Sequence, residues 1–234
     1  MVEGDGLENR SAKAPGVRIP PPPLSEAAIG SARRRLERLL DRHGLLLCHD
    51  GKLPSATACI AGAPVSGSWW GHAKGKLIYE VLEGIAEAIA WPKLVLGKDT
   101  LVHRRLWPAL VAAAESRQAW QERGLKPDAT RLLGRIRRGE RVRTDEAPRA
   151  PGRKLGVVAT ELERRLLARG ASEHTPAGHH VRFLETWGTW GHRQGLTAAD
   201  LPPTAKAIAA LSAPVLAWTG GRKPPGLLPW FGAG

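Results

Sequence analysis

The sequence predicts a mainly helical α+β fold made of two winged-helix-like units, each with a β-hairpin wing. Three observations lead there. Apolar residues recur at helical spacing in several segments of ordinary helix length. Two stretches place β-rich arms on either side of a Gly-containing turn. The order helix, short element, helix, hairpin occurs twice, as a pattern without residue-level repetition. A single mixed α+β domain with both hairpins in one sheet is the rival assembly.

Residues 1–25 are polar and end in the polyproline-type spacer "IPPPPLS", which reads as a flexible tail. The first unit spans 26–120. In "SARRRLERLLDRHG", Leu36, Leu39, Leu40 and His43 follow the i, i+3, i+4, i+7 rule, and Gly44 supplies the stop. "LLLC" reads as a short buried strand. "LPSATACIAG" reads as a short helix between Pro54 and Gly62. Ile78, Val81, Leu82, Ile85 and Ile89 predict one helix over about 73–90. "WPKLVLGKDTLVHRRLW" predicts a hairpin turning at Gly97–Asp99, and Trp107–Pro108 opens the helix "ALVAAAES".

The second unit spans 121–195. Pro127–Asp128 starts a helix carrying Ala129, Leu132, Leu133 and Ile136, and "RVRTD" is a short strand. Leu155, Val158, Leu162 and Leu166 mark a helix over about 153–168. "GASEHTPAGHHVRFLETW" gives two strands around Pro176–Gly178. Residues 196–234 hold a helix near 203–212 and the Gly/Pro-rich end "GGRKPPGLLPWFGAG". That end reads as frayed, with docking through Leu227, Leu228, Trp230 and Phe231 as the alternative.

At 234 residues the chain is long enough to bury a core, which aliphatic side chains must supply, since Phe occurs twice and Tyr once. Trp occurs nine times, so the aromatic content is almost all indole. The net charge is +13 and the pI about 10.6. Residues 1–120 carry +4 and residues 121–195 carry +7. Such a balance favours an anionic partner, nucleic acid first; an arginine-rich composition with no anionic partner is the alternative. Cys48 and Cys59 sit in apolar settings and read as small buried hydrophobes in a reducing compartment. No apolar run approaches a membrane span, and the first residues lack a signal-peptide plan, so no membrane partner and a cytoplasmic location are expected.

The stretch "SGSWWGHAKGK" concentrates the candidate chemistry. His72, Lys74 and Lys76 stand where a helix N-terminus already carries partial positive charge, while Glu80, Glu83 and Glu87 come later. A phosphate there would satisfy amides, dipole and lysines together, and Gly71 and Gly75 would admit a close backbone approach. The order is not that of a P-loop. Trp69 and Trp70 are read first as core residues, both rings buried against the apolar stripe; the alternative keeps one indole in the core and sets the other beside Lys74, open to a groove or an unpaired base. On the wings, Lys98, His103, Arg104 and Arg105 belong to the first unit, and His174, His179, His180 and Arg182 to the second. Arg153, Lys154, Arg164 and Arg165 lie on the candidate recognition helix.

Other chemistry finds less support. Histidines flank the second turn, but no Cys pair and no His-Glu-x-x-His accompanies them, so no metal and no cofactor is expected. There is no nucleophile elbow. Glu80, Asp99, His72 and His103 are the acid/base candidates should there be catalysis.

The strings "SWWGH", "KLVLGKDTLVHRRLWPAL" and "HTPAGHHVRFLETW" resemble a group of bacterial proteins with a winged-helix-like plan, over about residues 30–192. More distantly, the serial plan is similar to the AlkZ/YcaQ-type DNA glycosylases. That resemblance implies DNA binding and excision of a damaged base through a Gln-x-Gln or His-x-Gln motif. Gln stands only at 118, 121 and 194, so the motif is missing. Three functions remain open on the sequence: a nucleic-acid-binding protein with DNA as first choice, a glycosylase-type repair enzyme, and a protein-interaction module.

Overall fold

A computed structural model describes residues 24–145, 152–174 and 180–232. The first unit begins with helix α1 (Glu26–His43). Ser25 caps its start, its hydroxyl accepting from the Ala28 amide at 3.2 Å. Ala32, Leu36 and Leu40 form the buried stripe, each leucine contributing about 2 kcal/mol by leaving water. Gly44 ends the helix at φ +79°. A Cβ there would also lie 2.8 Å from a Leu106 methyl, which would have to shift, but it is the positive φ that favours glycine.

Strand β1 (Leu45–Leu47) follows, then α2 (Ala56–Ala61), α3 (Gly75–Glu83), β2 (Ile89–Ala90), β3 (Thr100–His103) and α4 (Trp107–Ala114). The three strands form an antiparallel sheet in the order β1-β3-β2, with Leu45 opposite Val102 and Ile89 opposite His103. Both faces of this sheet are buried, as the unbroken run "LLL" requires. Leu46, Ile89 and Leu101 point into a core with α1, α2 and α3. Leu45, Leu47 and Val102 point into a second core built on α4.

The second unit contains α5 (Ala119–Glu122), α6 (Pro127–Arg137), β4 (Val142–Arg143), α7 (Leu155–Arg164), β5 (Arg169–His174) and β6 (His180–Glu185). Its sheet runs β4-β6-β5, also antiparallel. A third core joins the stripes of α6 and α7 to Val142 and Leu184. Helices α8 (Trp187–Arg193) and α9 (Thr204–Trp218) complete the described chain and pack on α4.

The fold is thus α+β and mainly helical, with two separate small sheets rather than one. Four expectations are corrected. The helix over 73–90 is shorter: it stops at Glu83, Gly84 caps it, and Ile89 turns into the sheet. The first hairpin turn is a folded loop, not an extended wing. Leu94 and Val95 are buried, and the Leu96 amide donates to the Leu227 carbonyl at 2.9 Å. The second hairpin's last strand ends at Glu185, and Trp187, read as part of that strand, instead opens helix α8, where Trp187 and Trp190 pack edge-on at 5.4 Å. The Gly/Pro-rich end is docked: Leu227 and Leu228 are buried, and the Trp230 indole donates to Ser212 Oγ at 2.9 Å.

Candidate nucleic-acid interface

At the mouth of α3 the residues do not form the expected phosphate cradle. His72 accepts from the Lys74 amide through Nδ1 at 3.1 Å, so the imidazole closes the turn. Lys74 caps another helix, its ammonium donating to the Ala61 carbonyl at 2.6 Å. Gly75 serves packing rather than ligand access. A Cβ there would stand 3.0 Å from the carbonyl oxygens of both Trp69 and Trp70. Lys76 is exposed and meets no acid among the described residues. The two indoles divide, which corrects the reading that buries both: Trp69 packs partly against the α1–α3 core, and Trp70 is 66% exposed, stacked on Trp69 at 4.0 Å and 24°.

Most wing and recognition-helix cations are engaged inside the molecule. Lys98 pairs with Asp50 at 2.7 Å. Burial pushes the Asp50 carboxyl up, but hydrogen bonds from the Leu53 amide, the Lys98 ammonium and the Lys52 amide outweigh it and hold it at about 2. His103 Nε2 lies 3.0 Å from Asp41 and its Nδ1 accepts from the Arg105 amide; burial keeps it below the ordinary imidazole value against the pull of Asp41. Arg105 donates to the Asp41 and Arg42 carbonyls at the end of α1. Arg153 is clamped by Asp128 and Glu161 at 2.7 and 2.6 Å. Arg165 donates to the Gln121 and Arg123 carbonyls, and Arg182 pairs with buried Glu163. Arg164 is exposed, with its side chain lying over Gly97. Arg104 and Lys154 are exposed and meet no carboxylate among the described residues. His179 lies outside the described residues, and the His180 backbone pairs with His174 across β5 and β6.

The four acid/base candidates do not converge on one another. Asp99 is held by Lys93 at 2.7 Å, His103 by Asp41, and His72 by a backbone amide, while Glu80 stands on α3 with no hydrogen-bonded side-chain partner among the described residues. No group of three or more metal-ligating side chains occurs among the described residues. No described helix is long and apolar enough to cross a membrane.

One arrangement escaped the sequence reading. Arg35, Arg38 and Arg42 share one face of α1 and line a groove of about 750 Å³ with Pro54, Ser55, Ala58 and Cys59 of the α2 start. Arg35 donates to the Cys59 and Ile60 carbonyls at 2.8 and 2.9 Å. Arg38 and Arg42 meet no carboxylate among the described residues; Asp41, the groove's only acid, is engaged by His103. Arg105 continues the row at the end of α1, its guanidinium on the Asp41 and Arg42 carbonyls, and exposed Arg104 precedes it in the chain. The i, i+3, i+7 spacing of the arginines was the available signal, hidden behind the leucine stripe of the same helix.

No family model matches the chain, and no curated protein or solved structure matches it either.

Proposed function

We propose that this chain is a nucleic-acid-binding protein, with DNA as first choice, that contacts phosphates through the arginine row on α1. The row is the observation that carries the reading. From Arg35 to Arg42 the helix rises by about 10 Å. A nucleic-acid strand presents a phosphate every ~3.4 Å of its axis, so the row spans about three. Gathering guanidinium groups with a single, already engaged carboxylate costs self-repulsion that an anionic strand relieves. Planar guanidinium forks suit phosphate oxygens.

The connectivity supports the same reading. The order α1-β1-α2-α3-β2-β3 with β1 against β3 is compatible with a winged-helix plan, and α6-β4-α7-β5-β6 with β4 against β6 is compatible with a second one that has one helix fewer among the described residues. The contact surface is not the usual recognition helix. The exposed α3 face carries Glu83 and partly exposed Glu80 beside Lys76, which makes it the wrong sign for a groove.

The test is a titration of labelled duplex and single-stranded oligonucleotides over a salt series. The triple variant Arg38→Ala, Arg42→Ala, Arg104→Ala should flatten the slope of log affinity against log salt by about 0.9 for each duplex phosphate contact removed. A second triple, Lys126→Ala, Arg131→Ala, Lys154→Ala, removes cations of the second unit that meet no carboxylate among the described residues. An unchanged slope in the first triple, or a loss confined to the second, overturns the assignment.

A further inference from the structure

We propose that Trp70, backed by Trp69 and flanked by Tyr79, is a stacking platform for an unpaired base at the far end of the arginine row, which makes the preferred ligand single-stranded. The proposal rests on the nucleic-acid reading above and names its substrate class.

Exposure is the first observation. Of nine tryptophans, Trp70 alone is exposed, at 66%, and Tyr79 beside it is 38% exposed. Their rings lie 5.8 Å apart and 39° tilted, so together they offer an aromatic surface rather than one isolated ring. An indole turned to water forgoes the stabilisation that burial gives its neighbours.

Rigidity is the second. Trp69 and Trp70 begin a short 3₁₀ turn (Trp69–Gly71), closed by the Gly71 amide on the Ser68 carbonyl and the His72 amide on the Trp69 carbonyl. The Gly75 amide then donates to the His72 carbonyl at 2.7 Å, and the close fit of Gly75 under Trp69 and Trp70 fixes the turn to α3. Trp69 anchors the stack in the core. The ring of Trp70 is therefore held in place before any ligand arrives, which lowers the ordering cost of binding.

The third observation joins platform to row. Arg35 holds the Cys59 and Ile60 carbonyls, and Lys74 holds the next carbonyl, that of Ala61. Guanidinium and ammonium thus sit side by side on the end of α2, and Lys74 is four residues from Trp70. The path of positive charge runs from Arg104 through Arg42, Arg38 and Arg35 to Lys74, and ends at the indoles. Glu80 and Glu83 lie beyond Tyr79 on α3, so a strand is favoured along the row and repelled past it. A basic track ending in an aromatic stack is how single strands are held without sequence preference. In a duplex both faces of each base are already stacked, so the platform discriminates against paired nucleic acid.

The test compares fluorescence anisotropy of the full chain with labelled oligothymidylate and oligouridylate of about 15 nucleotides and with a mixed-sequence duplex of the same length. Trp70→Ala should weaken single-strand binding about tenfold and leave duplex binding within about twofold. Trp70→Phe should restore most of the loss. The thymidylate and uridylate arms separate DNA from RNA as the source of the base. Unchanged single-strand affinity in Trp70→Ala, or equal loss on duplex and single strand, overturns the platform while the arginine row stands. Wild-type protein that binds none of the three overturns the nucleic-acid reading itself.

Discussion

Leu228 tests the docked C-terminal end most directly. It is fully buried in the core that α4 and α9 share, the ninth residue of a segment whose composition reads as frayed. Three contacts hold the segment: the Leu96 amide on the Leu227 carbonyl, the Trp230 indole on Ser212 Oγ, and Trp230 edge-on to Trp120 at 5.6 Å. Leu228→Ala keeps the backbone bonds and removes only apolar atoms from a closed site. A buried leucine truncated to alanine costs about 2–5 kcal/mol, the upper part where the site cannot collapse. Helices α4 and α9 fix two walls here, so about 3 kcal/mol is expected. For a chain of this length that lowers Tm by about 6–12 °C. Urea denaturation followed by far-UV circular dichroism is the assay, with the midpoint falling and the slope unchanged. A loss below about 0.5 kcal/mol, the range of surface positions, would show that the segment does not dock.

Two further outcomes follow from titrating groups. Burial pushes the Cys48 thiol up to about 12, and raises Cys59 as well, so only about one Cys48 in ten thousand is thiolate at pH 8. Iodoacetamide should modify Cys48 far more slowly in native protein than in urea, and equal rates would contradict the burial. Burial, with Arg42 and Arg105 adding to it, holds His43 below the ordinary imidazole value, and burial does the same for His103. Both are neutral in either state above about pH 6.5; below it the unfolded chain takes protons first, so their contribution to stability is present at pH 7.5 and lost as pH falls through the folded values. Glu163, raised by burial, titrates with the opposite sign, so the reading is the difference between wild type and the double variant His43→Gln, His103→Gln. The variant should show a flatter urea midpoint between pH 7.5 and 5, and an identical profile would refute the assignment.

Elements governed by local spacing were legible in the sequence. Leu36 and Leu40, the stop at Gly44, the run Leu45–Leu47 and the helices opened by Pro108 and Pro127 all form where the pattern puts them. Elements governed by distant partners were not. Ile89 fits the helical stripe of Val81 and Ile85, but pairing with His103 draws it into a strand. Leu94 and Val95 read as a hairpin arm, yet a second core covers them. Leu227 and Leu228 lie among glycines and prolines, and the core of α4 and α9, with Leu96 bonded to Leu227 and with Ser212 and Trp120 against Trp230, gives the segment a place to dock. The apolar stripe beside Trp69 and Trp70 favoured burial of both, and the exposure of Trp70 was legible only as the alternative. The fate of Lys74 was not legible, because its acceptor is a backbone carbonyl, a group every residue carries.

Backbone carbonyls also decide which cations remain available to a ligand. A helix end exposes carbonyls with partial negative charge, and cations gather there. Arg35 and Lys74 cap α2 in this way, and Arg105 caps α1. A carbonyl orients a cation without cancelling its unit charge. In the second unit most arginines meet carboxylates instead: Arg135 with Glu140, Arg137 with Glu122, Arg153 with Asp128 and Glu161, Arg169 and Arg193 with Glu185, and Arg182 with Glu163. The unit with the larger net charge by composition therefore presents much of it as ion pairs, whose fields fall off within a few ångströms. The first unit, with the smaller excess, leaves Arg35, Arg38 and Arg42 without a carboxylate partner among the described residues, while Arg33 on the same helix pairs with Glu37. Net charge per segment is for this reason a poor guide to where a polyanion docks, and the cations that repel one another mark the face better than the cations that are most numerous.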